Sequence, residues 1–437
     1  MGAFRFTPDG KRLVLTAEVW PECGADAACS RKKDEAMEKG KMKASVADRL
    51  FIRPWDAWED GKRTHVWVVP IDGSPEALAA PKNITAPNRA FDGSPLYSPD
   101  GRSIAYKMQR VRDYESDRSV LAIYDRVAGT SRVALSGPGI GAESPLTRQN
   151  QALLDEVDFR PMEEVFVDSP SGKKIQVLLV KPHGFDPTKK YPTIVNVHGG
   201  PQQQWADSFR GDAQVYPGAG YVTAFPNPHG STGWGQDFTA AISKDWDGKV
   251  MQDVAAVSDW LAAQPWVDKD RMGAMGWSWG GYAMMWLAGH TNRYKALASM
   301  MGVYDLRSMY SSTEELWFPE WDLGGTPWQN PEGYRKQSPS SYVTQFRTPT
   351  LVITGQKDFR VPYTQSLSFF TDLQKMGVPS RLVVFENSGH WPGWYEMVLY
   401  YAAHLDWFHT YLGGAPSPWD PKTLARNAVF GAASEKK

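Results

Sequence analysis

Two features of the sequence predict an α/β fold, a doubly wound and mostly parallel sheet, preceded by a smaller all-β region. From about residue 160 onward, apolar runs without polar alternation recur between stretches of helical spacing, as expected of strands covered by helices on both faces. Ahead of them, residues 1–155 repeat a strand–turn–strand unit, the signature of β-propeller blades.

The all-β region rests on two copies of one pattern. Residues 4–14 and 96–106 each read as strand, Ser/Thr-Pro-Asp-Gly turn, strand, with Thr7-Pro8-Asp9-Gly10 and Ser98-Pro99-Asp100-Gly101 at the reversals. Further strands are expected at 65–70 and 120–125, and an ordinary β-sandwich is the alternative architecture. Residues 31–43 are rich in lysine and read as a solvated excursion. Cys23 and Cys29, the only cysteines, lie in a polar stretch and suit either a local disulfide, which implies an oxidising compartment, or two free thiols.

A glycine-rich break at 136–141 and a connection over 149–162 lead into the second region. Strands are expected at 165–168, 175–181, 193–198, 221–225, 271–276, 296–301, 350–355 and 381–386. Helices are expected around 250–261, 362–376 and 396–411. The domains therefore run 1–155, 156–415 and a tail at 416–437. With 437 residues, 42% hydrophobic and 22% charged, the chain has ample core for two domains. A net charge of −1 gives no electrostatic reason for nucleic acid or an anionic membrane as partner, and no apolar run reaches the length of a membrane span.

Chemistry concentrates at Gly276-Trp277-Ser278-Trp279-Gly280. This is G-x-S-x-G between an expected strand and an apolar helix, the context of a nucleophile elbow. Ser278 needs a base, and the base a carboxylate. In an α/β hydrolase these follow in the order Ser, Asp or Glu, His, each at the C-terminal end of a strand. Asp358 follows the strand at 350–355, and His390 follows the strand at 381–386. The oxyanion donors are expected from the N–H of Trp279 and from Gly199 or Gly200 in His198-Gly199-Gly200-Pro201. No histidine lies near the cysteines and no H-E-x-x-H occurs, so neither metal nor cofactor is expected.

Together with Gly230-Ser231-Thr232-Gly233-Trp234-Gly235, Asp253, and Gly355-Gln356-Lys357-Asp358-Phe359-Arg360-Val361-Pro362, these motifs resemble the prolyl oligopeptidase family of serine peptidases. The likeness covers about residues 160–412 and is nearest its dipeptidyl-peptidase and acylaminoacyl-peptidase branches. It implies an α/β-hydrolase domain under a β-propeller and a Ser278–Asp358–His390 triad. Its substrates would be short peptides that lose N-terminal dipeptides or acylated residues. It also implies substrate contacts from His198 and from Arg360, which otherwise reads as a salt-bridged structural arginine. His229 departs from the pattern, since many relatives carry Arg there. No acidic pair can be assigned to the substrate's amino group.

Residues 1–155 hold three or four blades at most, so the propeller is expected to be incomplete. Such a cap predicts either self-association through bare strand edges or a loose cover over the triad. The chain opens inside a blade, and its first residues do not form a signal peptide. A periplasmic or secreted location is expected if a preceding segment carries one, and a cytoplasmic location otherwise. Two other functions remain open on the residues alone, a carboxylesterase using the same triad and a catalytically silent interaction protein. The pocket for the side chain at the scissile bond is expected to be apolar, built from Trp277, Trp279, Met300, Met301 and Tyr304.

Overall fold

The computed structural model describes residues 4–24, 26–40, 53, 55–58, 61–71, 81–85, 92–109, 119–135 and 156–426. The expected break at 136–141, the start of the connection at 149–162, the boundary at 155 and the last residues of the tail lie outside them. The chain divides into one unit of residues 1–53 and 58–146 and another of residues 54–57 and 147–437.

The first unit contains two four-stranded antiparallel sheets among the described residues. One runs β1 (Phe4–Phe6), β2 (Arg12–Val19), β3 (Arg63–Pro70), β4 (Lys82–Asn83); the other β5 (Asp92–Tyr97), β6 (Ser103–Gln109), β7 (Ser119–Asp125), β8 (Thr130–Leu135). Each is a meander of the size of a propeller blade. The repeated turn is the same in both, bond for bond. Gly10 N–H donates to Thr7 C=O (2.9 Å) and Thr7 N–H to Arg12 C=O (2.9 Å); Gly101 N–H donates to Ser98 C=O (2.8 Å) and Ser98 N–H to Ser103 C=O (2.9 Å). Both glycines sit at positive φ, 67° and 68°, which explains the residue type. Val14, Val66 and Val68 pack with Ile104, Tyr106, Ala122 and Tyr124 in a shared core.

The stretch at 31–43 is not an excursion throughout. Helix α1 spans Ala27–Lys39, capped by Asp26, whose side chain accepts from the N–H groups of Ala28 and Cys29. Cys23 and Cys29 are joined in a disulfide across its start.

The second unit is built on one eight-stranded sheet in the order β16-β15-β14-β13-β11-β12-β10-β9. Its strands are β9 (Glu163–Asp168), β10 (Lys174–Val180), β11 (Tyr191–Val197), β12 (Val222–Asn227), β13 (Val267–Trp277), β14 (Ala296–Met300), β15 (Thr350–Gly355) and β16 (Ser380–Phe385). From β11 onward all neighbours are parallel, while β10 runs antiparallel to both β9 and β12. All eight expected strands are present. The four principal helices are α2 (Lys249–Ala262), α3 (Trp279–His290), α4 (Thr364–Lys375) and α5 (Trp394–Leu412). Separate apolar cores form on the two faces. One holds Val254, Val257, Tyr282 and Phe369. The other holds Ile194, Met275, Ile353 and Phe408. This is the doubly wound α/β-hydrolase arrangement. The chain leaves β11 toward β12 on one side and returns through β13 toward β14 on the other, so a crevice opens between the C-terminal ends of β11 and β13.

Candidate active site

Ser278 stands at that crevice, between β13 and α3. Its backbone has φ 60° and ψ −117°, a strained conformation for a residue with a side chain. The turn is held on both sides: Ser278 N–H donates to Met300 C=O (2.8 Å), and Tyr282 N–H donates to Ser278 C=O (3.0 Å). The flanking glycines are required by contact. A Cβ on Gly276 would strike the backbone of Gly280, and one on Gly280 would strike the Val197 carbonyl. Strand and helix therefore cross at backbone distance, which pushes the Ser278 hydroxyl outward.

Asp358 and His390 arrive from the loops after β15 and β16. Both are buried, and His390 Nδ1–H donates to Asp358 Oδ2 at 2.6 Å. Asp358 Oδ1 accepts the N–H of Val361 (2.9 Å), which fixes the carboxylate. The two loops are tied by Lys357 N–H donating to Ser388 C=O (2.9 Å). Glu396, in the first turn of α5, accepts from Gly393 N–H (2.6 Å) and from the Ser388 hydroxyl, closing the loop that carries His390. Trp277 Nε1–H donates to His390 C=O (3.1 Å), which joins that loop to the elbow. Ser278 and His390 line one cavity of about 590 Å³.

Gly199 passes directly beside the elbow. A Cβ there would lie 2.8 Å from the Trp277 carbonyl oxygen and 3.0 Å from Ser278 Cβ. Trp279, as the first residue of α3, has an N–H without an intrahelical acceptor. Gly199, Gly200 and Trp279 all border the cavity. His198 borders it too, but both its ring nitrogens are engaged. Nδ1–H donates to Gly199 C=O (2.7 Å), and Nε2 accepts from the Ser231 hydroxyl (2.8 Å). Burial pushes its imidazole down to about 4, so the ring is neutral. This geometry favours holding Gly199 in place over touching substrate.

Trp277, Trp279 and Met300 form cavity wall as expected, whereas Met301 and Tyr304 do not. Beyond the end of β14 the chain turns, so the alternation carried past Met300 fails. Met301 is buried in the core beneath, and the Tyr304 hydroxyl donates to Asp372 (2.5 Å). Val303, Met309, Phe318 and Val361 take their places, and the wall stays apolar. Arg360 is salt-bridged and also borders the cavity. Its Nε meets Glu314 (2.5 Å), its Nη1 meets Glu315 (2.6 Å), and Glu315 shares the cavity wall. The adjacent glutamates bear no sequence pattern of their own, and only the fold brings them to Arg360.

His229 belongs to a second Ser–His–Asp chain. Its Nδ1–H donates to buried Asp253 (2.6 Å), and Ser171 lies 3.2 Å from its Nε2. The connectivity is that of a triad, but the N–H groups beside Ser171 are already given to Ser169. None of the three residues borders the cavity. His229 ties its loop to Asp253 through both its backbone N–H (2.8 Å) and its ring.

Residues 207–415 match the prolyl oligopeptidase family. Dipeptidyl-peptidase 5 of Schizosaccharomyces pombe is 38% identical over 85% of this chain and 76% of its own length. Dipeptidyl-peptidase 5 of Porphyromonas gingivalis is 36% identical over 58% of this chain, but the match spans only 38% of that protein. In fold, the chain is similar to the acylaminoacyl peptidase of Pyrococcus horikoshii, with a TM-score of 0.74 at 18% identity over 97% of this chain and 83% of that one. With the Schizosaccharomyces relative matched along three quarters of its length, the chain belongs to the prolyl oligopeptidase family and is a serine-type peptidase.

Proposed function

We propose that this peptidase releases dipeptides from the free N-termini of short peptides through an acyl-enzyme. Ser278 attacks the scissile carbonyl, His390 accepts its proton through Nε2, and Asp358 keeps the imidazole in the tautomer that makes this possible. The oxyanion is received by the N–H of Trp279 with that of Gly199 or Gly200. His390 then returns the proton to the leaving amine and activates the water that frees Ser278. The observation that carries the assignment is the buried His390–Asp358 hydrogen bond in a cavity shared with the strained Ser278. Arg360 offers its remaining N–H groups to a substrate carbonyl, and His198 acts by positioning Gly199.

Glu314 and Glu315 both pair with Arg360 and Glu315 borders the cavity, a carboxylate placement that supports a free α-amino group over an acylated one. Dipeptidyl-peptidase 5 is also the name of both relatives described above. The domain limits at 155 and 415 and self-association through exposed strand edges belong to the same reading. So does an oxidising compartment, which the Cys23–Cys29 bridge supports. No helix among the described residues is long and apolar enough to cross a membrane.

The test is a paired assay on a dipeptidyl anilide, its N-acetylated counterpart and a short-chain ester. The free dipeptidyl substrate is expected to have the highest kcat/KM. Ser278→Ala should lower kcat by roughly 10³–10⁶ and abolish fluorophosphonate labelling. Faster turnover of the acetylated substrate would reassign the enzyme to acylated peptides, and ester turnover alone would make it a carboxylesterase.

A further inference from the structure

One cavity residue comes from far away in the sequence. Trp55 lies in the short segment 54–57 that groups with the catalytic unit, separated from the other site residues by the strands of the first unit. Its backbone is held at φ 50°, a conformation that residues with side chains rarely keep without support. The support is visible. Trp55 C=O accepts the N–H of Phe359 (2.9 Å), next to Asp358. Beside it, a Cβ on Gly389 would come within 2.5 Å of Asp56 Cβ, so the residue preceding His390 is kept bare where the segment enters.

The indole then covers one face of the Arg360 guanidinium, with 3.7 Å from that carbon to the ring centroid. Two edges of the same guanidinium are held by Glu314 and Glu315. Arg360 is thus fixed from three sides, by one aromatic face and two carboxylates. Trp55 also meets Trp391, with centroids 4.7 Å apart, and both rings border the cavity. Trp391 is 58% exposed and Trp55 39%, so the pair presents apolar ring surface to whatever occupies the mouth.

Direction along the substrate follows from the walls. The apolar lobe of Val303, Met309, Phe318 and Val361 receives the side chain at the scissile bond. Arg360 adjoins Val361, and Glu315 adjoins Arg360 through their ion pair. Trp55 covers Arg360, whose ion-pair partner Glu315 shares the cavity wall, and so stands on the side of the site where a dipeptide's amino group would meet that carboxylate. We infer that Trp55 and Trp391 form the subsite for the dipeptide's N-terminal side chain and select large apolar or aromatic residues there. The inference rests on the dipeptidyl reading above. Trp55 acts here as a specificity residue, and through Arg360 as a positioning residue.

The experiment uses the full chain and three dipeptidyl anilides, Gly-Ala, Leu-Ala and Phe-Ala, in wild type, Trp55→Ala and Trp55→Phe. The quantity read is the ratio of kcat/KM for Phe-Ala over Gly-Ala within each variant, because a ratio cancels any difference in the fraction of folded enzyme. Wild type should favour Phe-Ala by roughly tenfold or more, Trp55→Ala should bring the ratio to within about threefold of unity, and Trp55→Phe should restore most of it. A ratio unchanged in Trp55→Ala, whether all three rates fall together or none falls, would overturn the subsite and leave Trp55 as support for Arg360 alone. No wild-type turnover of any of the three anilides, with Ser278 still labelled by a fluorophosphonate, would fail the dipeptidyl reading itself and remove the subsite with it.

Discussion

Asp358 is buried, and its two carboxylate oxygens are committed to His390 and to the Val361 N–H. Replacing it by Asn keeps the shape but lets the amide present N–H to Nδ1, which selects the wrong imidazole tautomer. Asp358→Asn should lower kcat by roughly 10⁴ with KM little changed, as read in steady-state kinetics. A second expectation concerns acid. His198 and His404 are both buried, and burial holds each imidazole at about 4, against about 6.5 in the unfolded chain. The unfolded state therefore binds more protons than the native state between those values. Stability from each histidine is complete above about 6.5, falls as the pH drops, and is gone below about 4, a loss of about 3 kcal/mol per residue. Urea midpoints measured from pH 7 to pH 4 should decrease, and His404→Gln should flatten the slope.

The crossing of β13 and α3 tolerates no side chain at Gly280, because a methyl group there enters the Val197 carbonyl. Gly280→Ala should destabilise by about 3 kcal/mol or more and displace Ser278, measurable as a lower unfolding midpoint with slower fluorophosphonate labelling. The Cys23–Cys29 bridge closes a loop of a few residues at the start of α1, and a loop of that size is worth about 2 kcal/mol. Reduction should therefore speed hydrogen exchange in β2 and β3, to which α1 is joined by Lys62, paired with Asp34 and Glu18. These elements differ in how far the sequence disclosed them. The elbow and the strands before Asp358 and His390 were legible because glycine spacing and apolar runs are local signals. α1 was hidden because its residues lack an apolar face, although the Asp26 cap was there to be read. Trp55, Glu314 and Glu315 were illegible as site residues for a deeper reason. Their roles exist only as contacts with Arg360, and Trp55 is about 300 positions from it.

The two sheet systems treat their edges differently. The outer strand of the hydrolase sheet, β9, is guarded by charge, with Glu163 paired to Lys181 (2.7 Å) and Asp168 to Lys174 (2.6 Å). Among the described residues β1 is an edge strand, and it carries Phe4 and Phe6, 50% and 60% exposed. Bare apolar edges recruit other strands, and an inserted lysine blunts them. Light scattering after size exclusion should show a concentration-dependent mass for wild type and a smaller one for Phe6→Lys; equal masses would acquit β1. The opposite edge of the hydrolase sheet has a consequence for biosynthesis. Among the described residues β16 is the last strand of its sheet and borders only β15, and His390 lies in the loop that follows it. During synthesis, Gly199, Ser278, Trp279 and Asp358 are all made before His390. On the proposed roles, a growing chain lacks the base for Ser278 until β16 has emerged and docked. On those roles the order of residues would act as a safety catch, delaying hydrolytic power until folding of the catalytic sheet is nearly finished.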